Sequence, residues 1–131
     1  MNFRDLEKKH SVNWRAEDEP SSLTLWYLSV RDTKLDNLAI ADYCRALRQD
    51  LFVDEMLPFV VKILELDAFA GDKYDGELIA ALANINPGHW MSNLEISRSA
   101  NFVLQGVELV SKDAELSRDI SNLKKILSVI V

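Results

Sequence analysis

Apolar residues recur at three- and four-residue steps over most of the chain. In DEMLPFVVKILELD, residues 54–67, Met56, Phe59, Val60, Ile63 and Leu64 share one side of a 3.6-residue repeat, which predicts a helix with that side against a core. Pro58 removes a backbone donor, so this helix either begins near Leu57 or bends there. Upstream, IADYCRALRQDLF puts Tyr43, Leu47 and Leu51 on one face, with Asp42 in the first turn, where the helix dipole favours a carboxylate. Downstream, Leu78, Ile79, Leu82 and Ile85 predict a short helix, and Asn86 with Pro87 reads as the cap and first residue of another. Two closing helices follow, one on the stripe Phe102, Val103, Gly106, Val107 and Val110, the other on Leu116, Ile120, Leu123, Leu127 and Ile130.

SSLTLWYLSVRD is ambiguous, because Leu23, Leu25 and Tyr27 alternate with Thr24, Trp26 and Leu28 as they would in a strand. No other stretch combines such alternation with hairpin signals, and an isolated strand is not stable, so helix is the better reading, with Trp26 packed inside. SVNWRAEDEPSS is polar and carries Pro20, which predicts a loop between a short first helix and the rest. The fold class predicted is all-α, a single domain over residues 1–131 with about six or seven helices around one core.

One segment invites a metal. DAFAGDKYDGELIAAL, residues 67–82, crowds Asp67, Asp72, Asp75 and Glu77 around two glycines. With Gly76 as the sixth residue of an EF-hand loop, Lys73, Gly71 and Leu82 fall where ligands are required, so three are lost. The remaining reading is a turn feeding a helix, with Asp75 as N-cap and Glu77 at the positive helix end.

Composition narrows the class. Hydrophobic residues make up 48% of the 131 and charged residues 27%, a folded profile and not a disordered one. No apolar run approaches the ~18 residues of a membrane span. The charged opening MNFRDLEKKH lacks an apolar signal region, which together point to the cytoplasm. Cys44 is the single cysteine and lies in an apolar-periodic context, so it reads as a buried, inert thiol. The net charge of −6 is confined to the middle. Residues 36–77 hold ten acidic side chains against four basic, while both flanks are balanced. Such a field repels nucleic acid and anionic lipid and attracts a basic protein.

Catalytic chemistry finds no foothold. His10 and His89 have no second ligand at metal spacing, and CxxC, HExxH, GxSxG and P-loop patterns are missing. No catalytic residue, cofactor or metal is therefore expected. A hydrolase using a carboxylate pair would need a pocket with strongly shifted acids.

The block RALRQDLFVDEMLPFVVKILELDAFAGDKYDGELIAAL resembles the immunity proteins of bacterial contact-dependent growth inhibition systems. The likeness runs over about residues 4–90: an opening helix with RDLEKK, a charged loop ending in proline, Asp42, Arg48 with Gln49, Leu57 with Pro58, and the run Gly71, Asp72, Tyr74, Gly76, Glu77, Leu78. It implies a non-enzymatic cytoplasmic inhibitor that binds the C-terminal toxin domain of a cognate effector, a basic nuclease, and blocks its active site. The middle-third charge suits that partner. The expected contacts are Asp50, Asp54, Glu55, Asp67 and Asp72, with Tyr74 as an aromatic anchor. Reversing the charge of Asp54 and Glu55 is expected to weaken toxin binding without lowering the melting temperature. A helical adaptor for another basic protein is the alternative.

Overall fold

The computed structural model describes residues 1–107 and 113–131. Among these, eight α-helices occur: α1 (Phe3–Lys9), α2 (Ser22–Val30), α3 (Ile40–Arg48), α4 (Val53–Leu66), α5 (Glu77–Ala83), α6 (Pro87–Met91), α7 (Leu94–Gln105) and α8 (Ala114–Ile130). One 3-10 turn spans Leu35–Asn37. The all-α expectation holds, and the count lies close to the six or seven predicted.

Local chemistry fixes the starts. Asn2 accepts the backbone N–H of Asp5, and the Asp5 carboxylate reaches back to the N–H of Asn2, closing a capping box on α1. Ser21 caps α2, so the ambiguous segment is a helix, with Thr24, Tyr27 and Val30 buried at three-residue steps. Pro87 opens α6 behind the Asn86 side chain, which accepts the Gly88 N–H at 2.8 Å. Pro58 lies inside α4, where its missing donor leaves the Asp54 carbonyl without its helical partner.

The 67–76 segment is a turn, as expected, but its cap differs from the one predicted. Gly76, not Asp75, is the N-cap of α5, in left-handed backbone at φ 83° with no side-chain cap bond. A methyl there would lie 2.3 Å from Leu116 of α8. A methyl on Gly71 would lie 2.0 Å from the Tyr74 carbonyl oxygen, so both glycines are dictated by close approach.

The core is one cluster. Helix α5 packs on α8 and α3, α7 lies between α8 and α4, and α6 closes the end against α7 and α8. Trp90, Leu78, Ile79, Leu82, Leu104, Ile120, Leu123 and Leu127 are fully buried at its centre. Each buried aliphatic side chain stabilises by about 1.5–3 kcal/mol. Cys44 is buried as expected, and burial pushes its thiol up to about 11, which makes it inert.

Three expectations need correction. Helix α3 stops at Arg48, so Leu51 belongs to the following joint and not to the helix face. The inner face of α7 is Ser97, Ala100 and Leu104, continued by Val107, whereas Phe102 is 82% exposed. Val110 of that predicted stripe lies outside the described residues. Trp26 is only half-buried, because its indole N–H reaches out to the Asp42 carboxylate at 2.9 Å.

Helices α1 and α2 form an annex at one end. Glu7, buried in α1, accepts hydrogen bonds from the Tyr27 hydroxyl at 2.6 Å and from the Arg31 guanidinium. Arg31 in turn lies 4.8 Å above the Trp14 ring. Phe3 touches the rings of Trp26, Tyr27 and Phe52, which joins the annex to the start of α4. The Arg31 bonds hold the Glu7 carboxyl below its ordinary range despite burial, so the charged form is the one the fold uses.

Candidate partner-binding site

The joint between α3 and α4 is built without glycine in left-handed backbone. Asp50 stands at φ 55° just past α3, its N–H donating to the Leu47 carbonyl while the Leu51 N–H donates to that of Ala46. That bond pair is the Schellman closure of a helix end, ordinarily served by glycine; aspartate is one of the few side chains that tolerate it. The end of α1 repeats the device. Ser11 stands at φ 55°, with its N–H donating to Lys8 and that of Val12 to Glu7. Phe52, at φ 46°, then leads into α4.

This joint gathers three of the expected contact residues. Asp50 is exposed beyond the end of α3, and Asp54 and Glu55 sit in the first turn of α4. His89 of α6 bridges two of them: its Nε2 lies 3.1 Å from Asp50 and its Nδ1 3.0 Å from Asp54. The Asn93 amide also donates to Asp54, at 2.9 Å. Glu55 turns the other way, meeting His10 Nε2 at 2.5 Å and Lys9 Nζ at 3.6 Å. Only 16% of the Glu55 side chain is exposed, against 74% for Asp50 and 52% for Asp54. Glu55 thus ties α1 to α4, and its reversal would set a cation beside Lys9 and cost stability.

The other three expected contacts lie apart. Asp72 and Tyr74 surround Arg48 at the end of α3: the Arg48 guanidinium donates to Glu77 at 2.9 Å and approaches the Tyr74 hydroxyl at 3.4 Å. Tyr74 is 50% exposed. Glu77, 1% exposed, accepts the backbone N–H groups of Asp72 and Lys73 at 2.9 and 3.0 Å. Burial pushes its carboxyl up, but the two N–H groups and Arg48 outweigh that and hold it below the ordinary range. Asp67 stands at the far end of α4, about 20 Å from Asp54 by helical rise, where it accepts the Phe69 N–H.

A concavity bordered by Trp26, Asp42, Arg45, Arg48, Asp72 and Glu77 measures about 420 Å³. Its Asp42 and Glu77 carboxylates accept hydrogen bonds from the Trp26 indole N–H and the Arg48 guanidinium. Among the described residues no three His, Cys, Asp or Glu side chains converge in a way that could hold a metal ion, and no helix is long and apolar enough to cross a membrane.

Sequence reasoning missed His10, His89 and Asn93 as partners of the carboxylates. Their separations of 35 to 45 residues, or 39 for Asn93, leave no local signature. Burial lowers the basicity of His89, but its bonds to Asp54 and then Asp50 win, and its pKa lies above the ordinary 6.5. A raised folded-state value means that the ion pairs stabilise fully below about 6.5 and fade as pH rises through the higher folded value. His89→Gln is therefore expected to cost about 1 kcal/mol at pH 6 and much less at pH 9. Urea unfolding at both pH values checks this; an equal cost at both would assign the loss to packing.

The family model described as CDI immunity proteins matches residues 8–99, which span α2 to α6 and half of α7 and contain every expected contact residue. No curated protein matches this chain.

Proposed function

We propose, from the premise that the chain belongs to the CDI immunity proteins, that it binds the toxin domain of its cognate effector in the cytoplasm and neutralises it through the acidic face at the α3–α4 joint. The observation that carries this reading is the pairing of Asp50 and Asp54, both more than half exposed, through one histidine within the charge-rich middle third. Two carboxylates held by a shared imidazole are pre-oriented and lose little freedom on binding. A nuclease is the toxin class such a face suits: its active site is basic because it holds phosphate, and carboxylates can occupy the same cations. Tyr74 and Asp72, around Arg48, extend the surface toward α5. The inhibitor needs no catalytic residue or cofactor, because occlusion suffices.

The deciding experiment measures binding to the toxin domain encoded beside this chain at several salt concentrations, together with survival of cells that express both. Tight binding that weakens steeply with salt, with rescue, is the expected result. Absence of binding and of rescue would overturn the reading and leave a helical adaptor for another basic protein in its place.

A further inference from the structure

The closures after α1 and α3 each place an apolar residue, Val12 and Leu51, immediately past a left-handed turn. Both residues line one notch, walled further by Trp14, Leu23, Tyr27 and Phe52. The notch holds about 140 Å³, close to the ~150 Å³ cavity that accepts one benzene ring. It thus admits a single leucine- or phenylalanine-sized side chain and not a length of backbone. Its walls are firm: Trp14 meets Tyr27 edge-on at 4.9 Å beneath Arg31, and Phe52 stacks on His10 at 5.7 Å.

Charge specifies the occupant. On one side the Glu17 carboxylate accepts the Thr24 hydroxyl at 2.7 Å, a bond that holds Glu17 ionised. On the other, Asp50, Asp54 and Glu55 flank Leu51 and Phe52. Against these four carboxylates stand Lys9, on Glu55 beside the His10 imidazole, Arg15, next to Trp14, and His89, shared by Asp50 and Asp54. These make three cations even with His89 protonated, while Arg31 is matched by Glu7. The rim is therefore net negative around an apolar floor, the arrangement of an anchor pocket inside a polar ring. We infer that this notch receives one large apolar side chain of the toxin domain, presented on a segment whose neighbouring residues are lysine or arginine. The inference rests on the proposed immunity function and gives its acidic face an apolar centre.

The test uses the intact chain with its adjacent-encoded toxin domain. Val12→Ser combined with Leu23→Ser is expected to weaken binding at least tenfold without changing its salt dependence, since the loss is apolar. Binding should also move the Trp14 emission to shorter wavelength, and Trp14→Phe should remove that change while Trp26 and Trp90 still fluoresce. If the unaltered chain binds tightly yet the double variant matches it and Trp14 emission stays fixed, the notch is empty in the complex and the inference falls, with the immunity reading intact. If the unaltered chain does not bind at all, the immunity reading falls and takes the notch with it.

Discussion

Replacing Glu77 by alanine is expected to destabilise the fold by about 3 kcal/mol. The carboxylate is buried and satisfies two backbone N–H groups of the preceding turn as well as Arg48, so its loss strands donors that the turn cannot re-pair within the fold. Arg48 limits the damage. Its side chain is 40% exposed and can return to water, which keeps the cost below that of a fully buried pair left half empty. The melting temperature should fall by roughly 10 °C for a domain of this size. Because the Glu77 carboxyl is held below its usual 4.5, its contribution is present above that pH and vanishes as pH falls through the depressed value. The gap between the parent and Glu77→Gln should accordingly close in acid. Thermal unfolding at neutral and acid pH measures both; a loss under 1 kcal/mol at neutral pH would mean that water takes over the two donors.

Asp50→Lys with Asp54→Lys is expected to weaken toxin binding by about 3 kcal/mol, roughly a hundredfold, mainly by slowing association. Both side chains are more than half exposed, and what they lose within the fold is one shared histidine and an amide contact, worth about 1 kcal/mol. The salt dependence of association should flatten in the variant. Asp67→Lys, one helix length away, provides the comparison: association kinetics of all three proteins at two salt concentrations separate a local contact from a change of net charge. Equal slowing by Asp67→Lys would show that overall field, not this face, steers the partner.

Large side chains carried most of what could be read in the sequence. The α8 stripe matches the burial at Leu116, Ile120, Leu123 and Leu127, with Ile130 half-buried. In α4, Met56, Val60 and Leu64 are buried as expected, whereas Phe59 and Ile63 are half-buried and Val53, Leu57 and Val61 complete the inner face. Helix α7 failed the same test because its inner face is small: Ser97 and Ala100 let it approach its neighbours closely, with the Ser97 hydroxyl donating to the Trp90 and Asn93 carbonyls. A search for bulky apolar residues chose Phe102 instead. The glycine-rich turn was legible as a turn, yet its cap was not, since only the approach of Leu116 from α8 reveals why Gly76 holds that position. In the binding face, the exposed carboxylates follow from charge alone, whereas the histidines that orient them come from chain topology. Nothing near Asp50 in sequence announces His89.

The length of α4 has a consequence for mapping the complex. With Asp54 and Asp67 at opposite ends of one rigid helix, substitutions at the two sites lie far beyond the ~10 Å within which side chains couple. Their effects on affinity should sum. A double-mutant cycle that departs from additivity would therefore mean that the partner itself, and not this scaffold, carries the communication between them.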